Sequence, residues 1–116
     1  MPSLYNKTQG HKITAQAKLA TSFLDRLVGL IGKAELIDES LWIKNCNSIH
    51  TCFMRFPIDV VFMDQQGIIK SYREKVQPWR FIAPDWSVAD TLELPAGTIR
   101  KFNIKPGDQL YVDENS

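Results

Sequence analysis

Residues 57–76, PIDVVFMDQQGIIKSYREKV, are the stretch that decides the fold. Proline lacks the amide hydrogen that a strand interior needs, so Pro57 predicts a strand that begins just after it, over Ile58–Met63. The turn-forming residues Asp64–Gly67 follow, with glycine where a left-handed backbone is expected. Ile68–Val76 is then predicted as the partner strand. The stretch therefore predicts an antiparallel hairpin at the centre of the chain.

Further extended structure is predicted before this hairpin. From His11 apolar and polar residues alternate, which indicates a half-buried strand. The residues expected on its inner face are Ile13, Ala15, Ala17 and Leu19. Residues 41–43 then open a run of β-type residues that continues through residues 47–56, up to the interruption at Pro57.

Two helical segments are predicted. Over Ser22–Ile31 apolar residues recur every three or four positions, which is typical of an amphipathic helix, and Gly32 is placed to end it. Near the C-terminus, Pro95–Gly97 predicts a turn. Thr98 is expected to cap a single helical turn that ends at Phe102.

The remaining segments complete the predicted architecture. Trp86–Leu94 and Gln109–Val112 are predicted to be extended, and Gln77–Asp85, with prolines near both ends, is predicted as a long ordered loop. Together these patterns predict one all-β, mainly antiparallel domain over residues 1–116. We expect a sandwich or partly closed barrel of about seven to nine strands, with one short amphipathic helix and one helical turn.

Composition excludes several classes of protein. A chain of 116 residues has room for one domain, since single domains usually hold about 100–200 residues. Hydrophobic residues at 44% and charged residues at 23% match ordinary globular proteins, which excludes disorder and coiled coil. A formal net charge of +1 gives little attraction for polyanions, so the composition argues against a dedicated nucleic-acid binder.

No targeting signal is recognisable in this sequence. Apolar runs stay far below the roughly 20 residues of a membrane helix, and the N-terminus lacks the features of a signal peptide. We expect a cytoplasmic monomer without a membrane span, although a mature exported protein would look the same. Two cysteines, Cys46 and Cys52, are too few for a disulfide framework.

Three segments, ATSFLDRLVGLIGK, NSIHTCFMRFPIDVVFMD and LELPAGTIRKFNIKPGDQL, resemble in order and spacing the bacterial and archaeal family called domain of unknown function 192. The resemblance covers about residues 17–112, and the middle segment is its specific part. It implies a compact β-sandwich or barrel-like fold with little helix, and it implies no activity. One departure is Ile31, where many family members look to have methionine.

The turn at Gly107 and Asp108 also resembles a short signature of swapped-hairpin transcription regulators and related cradle-like barrels. The same two residues have a structural explanation, because glycine permits a left-handed backbone and aspartate bonds nearby amides. We favour that structural interpretation of the turn.

A cluster of soft metal ligands lies between residues 46 and 54. On an extended chain Cys46, His50, Cys52 and Met54 share one face, and thiol, imidazole and thioether groups suit Cu(I), or zinc if the thiols dominate. Ligands two residues apart on a strand lie about 6.6 Å apart, so another strand would have to complete the site. The favoured alternative is that these sulfur residues are core hydrophobes and that His50 is a hydrogen-bonded histidine.

A second cluster pairs His50 with Asp59. Asp59 lies beside an apolar run, where a carboxylate needs a partner, and His50, Arg55 or a backbone amide could supply one. A His50–Asp59 pair would resemble the acid–base half of a catalytic triad, but no nucleophile motif accompanies it. We favour a structural Asp59 that fastens the turn around Pro57.

Aromatic residues in the long loop provide the third cluster. Trp79 and Trp86 lie near Arg80, and rings with a guanidinium on an ordered loop can stack a sugar or a base. Core packing is the favoured alternative for all three tryptophans, and it is strongest for Trp42. We therefore expect the Gln77–Asp85 loop to form a wall of the main pocket.

Three functional hypotheses follow from these clusters. The leading one is a noncatalytic module that binds a small molecule or a protein without a cofactor. Its candidate ligand-binding residues are Trp79, Arg80, Trp86, His50 and Arg55. The alternatives are a copper-binding protein that uses the sulfur and histidine cluster, and an enzyme that uses the His50–Asp59 pair.

Overall fold

The computed structural model describes residues 2–21, 35–51 and 54–114. These residues form ten strands and one short helix. In chain order they are β1 (Ser3–Asn6), β2 (His11–Thr14), β3 (Gln16–Ala20), β4 (Glu39–Ile43), β5 (Ile49–His50), β6 (Ile58–Met63), β7 (Ile69–Val76), β8 (Phe81–Ile82), β9 (Asp90–Pro95), α1 (Thr98–Lys101) and β10 (Leu110–Asp113). The predicted all-β fold is confirmed.

The strands form three sheets. Their orders are β10-β1-β2, β3-β4-β9-β6-β7 and β5-β8. Neighbouring strands are antiparallel apart from β3 and β4, which pair in parallel. Within the described ranges the strands do not close into a barrel. Nor does any helix there have the length and apolar character that crossing a membrane would require.

The central hairpin forms as predicted. The first strand has the predicted bounds, Ile58–Met63, and the second pairs with it in antiparallel register. Gly67 closes the turn with φ 79°, and Asp64 accepts the amide hydrogens of Gln66 and Ile68. Because β6 lies between β9 and β7, all six of its residues are buried, whereas most of edge strand β7 is exposed.

The five-stranded sheet has an apolar core on each of its faces. Successive strand residues point to opposite faces, so Val60 and Val61 enter different cores. Val61 packs in the core shared with the three-stranded sheet, to which that sheet contributes Leu4 and Leu110. Val60 packs in the other core, which includes Ile49 of the two-stranded sheet. The fold is therefore layered around a sheet whose central strands, β4, β9 and β6, are buried on both faces.

The N-terminal strand differs from its prediction. Ile13 and Ala17 are buried as expected, but Leu19 is 44% exposed and Ala20 is fully buried. The chain bends at Ala15, which divides the predicted strand into β2 and β3 in different sheets. Because the alternation restarts at that bend, one continuous inner face is not formed.

The predicted run through residues 47–56 is wrong as one extended segment. Of its described residues, 47–51 and 54–56, only Ile49–His50 form a strand. Asn45 adopts a left-handed backbone with φ 53°, and the amide of Met54 donates to the carbonyl of Thr51 at 3.2 Å. The predicted helix over Ser22–Ile31 lies outside the described residues.

The C-terminal turn contains the predicted helical turn, but its cap is different. Gly97 occupies the cap position of α1 and supplies no side chain, while the hydroxyl of Thr98 donates to the carbonyl of Pro95 at 2.6 Å. Asp59 of β6 instead accepts the amide hydrogen of Ile99 at 2.9 Å. A carboxylate 40 residues away therefore performs the capping that was expected of Thr98.

The Gly107–Asp108 turn joins the two ends of the chain. Gly107 has φ 93°, and the buried carboxylate of Asp108 accepts hydrogen bonds from the side chains of Asn6 and Gln9 and from the amide of Lys105. These bonds hold the turn against the N-terminal hairpin, next to the pairing of β10 with β1. The geometry agrees with the structural interpretation of this turn.

Candidate functional site

Two cavities lie on either side of the segment 45–47. The first cavity, of about 360 Å³, is lined by Thr21, Ile43, Lys44, Asn45, Cys46, Asn47, Ser48, Ile49, His50 and Phe81. The second cavity, of about 620 Å³, is lined by Asn45, Asn47, Asp64, Gln65, Gln66, Trp86, Ser87, Val88 and Ala89. Asn45 and Asn47 line both, so the segment 45–47 separates the two cavities.

Backbone hydrogen bonds hold this separating segment in place. The amide of Cys46 donates to the carbonyl of Ala89 at 2.8 Å, and the hydroxyl of Thr91 donates to the carbonyl of Cys46 at 2.7 Å. The amide of Asp85 donates to the carbonyl of Asn47 at 3.1 Å. The segment is therefore fixed to the beginning of β9 and to the loop before it.

Asp90 is the buried carboxylate that orients the start of the segment. It accepts hydrogen bonds from the indole of Trp42 at 2.9 Å, the ammonium of Lys44 at 3.2 Å and the amide of Asn45 at 3.1 Å. The three donors meet Asp90 because β4 pairs with β9. Sequence reasoning missed this residue, although a carboxylate at the head of an apolar strand is the signal of a buried acceptor.

The first cavity combines an apolar wall with a few polar groups. Pairing of β5 with β8 sets His50 directly opposite Phe81, and Phe81 is 69% exposed. Ile43 and Ile49 form the buried part of the wall. The thiol of Cys46 donates to the carbonyl of Ser48 at 2.8 Å. Concave, mainly apolar sites with a few polar groups are typical of small-molecule binding.

The second cavity is mainly polar, and Trp86, Val88 and Ala89 are its apolar lining residues. Trp86 is 87% exposed at its edge. The turn that carries Trp86 is fixed by Asp85, which accepts hydrogen bonds from the hydroxyl of Ser87 at 2.6 Å and from its amide at 2.9 Å. These bonds, with a smaller contribution from the charge of Lys70, hold the pKa of Asp85 below its usual range.

The sequence pattern of the family described as Uncharacterized ACR, the domain of unknown function 192, matches residues 4–112. The chain belongs to this family. A UPF0127 protein of Thermococcus sibiricus is 31% identical over 112 residues, which cover 92% of this chain and 72% of the relative. A UPF0127 protein of Pyrococcus furiosus is 28% identical over 111 residues, with 92% and 95% of the two chains covered.

Two solved structures share the fold with this member of the family. One is a protein of Sinorhizobium meliloti, described as a candidate transcription regulator, with a TM-score of 0.77 and 25% identity over 96% of this chain and 91% of that one. The other is a protein of unknown function from Novosphingobium aromaticivorans, with a TM-score of 0.78 and 19% identity over 96% and 84% of the two chains.

The predicted ligand-binding residues do not converge on one cavity in this family member. His50 lines the first cavity and Trp86 lines the second, whereas Trp79, Arg80 and Arg55 line neither. These last three side chains are exposed. Sequence reasoning also missed the residues that separate the two cavities. The available signal was the pair of asparagines around Cys46, because asparagine tolerates the left-handed backbone of a bend.

The predicted loop 77–85 contains the short strand β8, and buried Thr51 anchors the backbone before it. The hydroxyl of Thr51 donates to the carbonyl of Gln77 at 2.7 Å and accepts the amide hydrogen of Arg80 at 2.8 Å. The amide of Trp79 donates to the carbonyl of Thr51 at 3.0 Å. Of the residues 77–85, Phe81 is the one that lines the first cavity, so that loop contributes the wall through a residue other than Trp79.

Among the described soft-ligand candidates, Cys46 packs against the apolar core that also contains Met54. Met54 is buried in the second apolar core, Cys46 and His50 line the first cavity, and Cys52 lies outside the described residues. Across the described part of the chain, no three histidine, cysteine or acidic residues are grouped closely enough to hold a metal ion.

Asp59 has a structural position. It is fully buried, and its two carboxylate oxygens accept the amide hydrogens of Lys75 and Ile99, each at 2.9 Å. The carboxylate therefore fastens β6 to β7 and α1, not the turn around Pro57. Each oxygen therefore has a backbone partner, and these contacts give Asp59 a structural role.

Proposed function

We propose that this protein is a noncatalytic binding module whose first cavity takes a small, mainly apolar molecule with one or two polar groups. The observation that carries the proposal is the composition of the cavity wall. Ile43, Ile49 and Phe81 offer apolar contact, while His50 and Asn47 offer hydrogen bonds at the same opening. A volume of about 360 Å³ suits a small ligand.

The exposure of Phe81 supports binding at this opening. Burying a phenylalanine side chain stabilises a protein by about 1.5–3 kcal/mol relative to leaving it in water. Phe81 forgoes most of that stabilisation in the free protein, although it lies in a strand whose backbone is paired. A ligand in the first cavity would cover the ring and recover the apolar contact.

The fixed backbone around the cavity also supports binding. One wall is held by β9 through Asp90 and Thr91, and the opposite wall is held by the pairing of His50 with Phe81. A site that is already formed avoids the cost of ordering side chains and loops when the ligand arrives. The cavity therefore has the rigidity that selective binding of a small molecule needs.

A ligand-observed NMR screen of small aromatic and aliphatic amides and acids tests the proposal. We expect compounds that bind the wild-type chain and lose most of their binding signal in Phe81→Ala. The matched control is Trp79→Ala, because Trp79 is a similarly exposed aromatic of the same loop outside the cavity. The free energy of unfolding of each variant should lie within about 0.5 kcal/mol of the wild-type value.

Two outcomes would contradict this function. Hits that bind Phe81→Ala as well as they bind the wild type would place their site elsewhere. Equal losses of signal in Phe81→Ala and Trp79→Ala would indicate nonspecific adsorption to exposed rings. The proposal requires the two variants to differ.

A further inference from the structure

We propose that the second cavity is a binding site for short neutral oligosaccharides, with Trp86 as the surface on which a sugar ring stacks. The two cavities share Asn45 and Asn47, but Trp86, Gln65 and Gln66, which carry this proposal, line the second cavity and not the first. The proposal rests on three observations: an indole that is almost fully exposed, a wall of side-chain amides, and the charges that line the cavity.

The indole of Trp86 is exposed on a rigid support. The turn beneath it is closed by the Ser87 bonds to Asp85 and by the amide of Val88, which donates to the carbonyl of Asp85 at 3.0 Å. Val88, two residues further on, is buried in the apolar core. The core side chain and the turn therefore fix the backbone and leave the indole at the cavity edge. A large ring presented in this way is typical of a binding surface.

The side chains beside the indole match the hydroxyl groups of a sugar. The amides that line the cavity belong to Asn45, Asn47, Gln65 and Gln66. Each side-chain amide both donates and accepts hydrogen bonds, and so does each sugar hydroxyl. A pyranose ring presents C–H groups on its face and hydroxyl groups around its edge. It can therefore stack on Trp86 while its edge bonds to the amides.

The charges of the cavity select against other ligands. Among the described lining residues Asp64 is the charged one, and none of them is a lysine or an arginine. Nucleotides and other phosphate-bearing ligands would therefore meet a carboxylate in the cavity wall and no cation among these lining residues. A quaternary ammonium ion would be attracted to Trp86 and Asp64, but it has no hydrogen-bonding group for the four amides. A neutral polyhydroxyl ligand uses both the ring and the amides.

Both walls of the cavity are formed before a ligand binds. On one side the amide of Asn45 is held by Asp90. On the other, Asp64 accepts two amide hydrogens of its own turn, and the carbonyl of Gln66 accepts a hydrogen bond from the side chain of Gln109 at 2.8 Å. A cavity of about 620 Å³ between fixed walls accommodates a short oligosaccharide.

Titration with maltotriose, cellotriose, mannotriose and tri-N-acetylchitotriose tests the inference, with indole fluorescence and saturation-transfer NMR as readouts. We expect saturable binding of at least one of these sugars. Trp86→Ala should weaken that binding at least about tenfold, which corresponds to about 1.4 kcal/mol. Trp79→Ala is the matched control, because that indole is 61% exposed and lies outside the cavity.

Replacement of individual glutamines by alanine tests the amide wall in the same titration. Gln65→Ala and Gln66→Ala should each weaken binding several-fold, while Gln77→Ala, an exposed glutamine outside the cavity, should leave it unchanged. All of these positions are exposed, so the melting temperatures should stay at the wild-type value. A sugar that still binds when Phe81 is replaced by alanine is bound independently of the first cavity.

Three results would overturn the inference. The first is that none of the four sugars shows saturable binding to the wild-type chain. The second is that Trp86→Ala binds the sugar as tightly as Trp79→Ala does. The third is that choline or ATP displaces the sugar at a lower concentration than the sugar itself requires, since the cavity would then be built for a charged ligand.

Discussion

β6 and the segment 77–89 use their side chains in opposite ways. This segment joins β7 to β9 and contains the short strand β8; it is called the loop below. Every side chain of β6 is buried, including the carboxylate of Asp59, whereas the loop leaves Trp79, Phe81 and Trp86 exposed. Yet the loop backbone is fastened by Thr51 and Asp85. In this fold a fixed backbone therefore does not require buried side chains. β6 stabilises the protein, and the loop holds large rings in solvent where a ligand can reach them.

Each of these two regions contains one aspartate whose carboxylate accepts hydrogen bonds. Asp59 and Asp85 each accept two hydrogen bonds from other residues. Asp59 does so in a fully buried position and connects three elements, whereas Asp85 does so in solvent and closes one turn. Hydrogen bonds to a buried charge count for more, because their loss leaves polar groups without water.

Asp59→Ala should therefore have the largest effect. The partly buried amide of Lys75 and the buried amide of Ile99 would lose a charged acceptor, and each such bond contributes about 1.5–3 kcal/mol. Since the two losses are not fully additive, we expect the free energy of unfolding to fall by about 4 kcal/mol. Urea denaturation followed by circular dichroism measures the change.

Glu114→Ala is the control for Asp59→Ala, because Glu114 is an exposed acidic residue and its removal should change stability by less than about 0.5 kcal/mol. Asp59→Asn keeps the shape of the side chain but turns a donor toward one of the amides, so it should also be clearly destabilising. A wild-type stability for Asp59→Ala would mean that water satisfies both amides, and the contrast with Asp85 would disappear.

Gly67→Ala should have the next largest effect. The turn residue has φ 79°, and a methyl group there would collide with the carbonyl oxygen of Leu110 and press on the ring of Trp42. The left-handed backbone costs about 1–2 kcal/mol for an L-residue, and overpacking adds about 1–3 kcal/mol. We expect a loss of about 3 kcal/mol in urea denaturation.

Gly97→Ala separates the two causes. Gly97 also has a positive φ, of 92°, but among the described residues no atom lies within 4 Å of its added methyl group. The Gly97→Ala variant should therefore incur only the cost of the left-handed backbone, and its free energy of unfolding should fall less than that of Gly67→Ala. Equal losses in the two variants would show that the turn after β6 tolerates the extra volume.

The fold could be predicted where its determinants are local in sequence. The central hairpin was predictable because a proline, an apolar strand and a glycine turn follow one another within 20 residues. The bend at Ala15 was not, because it depends on two strands joining different sheets. The cap of α1 had a local candidate in Thr98, but the carboxylate of Asp59 was brought there by strand pairing. Sequence periodicity carries no information about such long-range acceptors.

The candidate sites were predictable in part and for the same reason. An exposed Trp86 could be anticipated from its proline-rich surroundings, and His50 from its polar neighbours. The cavities themselves depend on Asp90 meeting Trp42 and Asn45 across paired strands. The copper hypothesis assumed an extended chain over residues 46–54, whereas the described strand there is limited to Ile49–His50.

The smallest effect is expected from protonation of the Asp85 carboxylate at acidic pH. Hydrogen bonds from Ser87 lower the pKa of this carboxyl group, so the turn is stabilised at every pH above the usual value for aspartate, about 3.9. That stabilisation is lost only as the pH falls through the lowered pKa. NMR chemical shifts of the Ser87 amide and the Trp86 indole should therefore stay constant from pH 8 to pH 5 and move at more acidic pH, and Asp85→Asn should abolish the acidic transition. A transition between pH 5 and pH 7 would contradict the assignment. The same constancy is expected of sugar binding at Trp86, because the turn that presents the indole keeps its charge throughout that range.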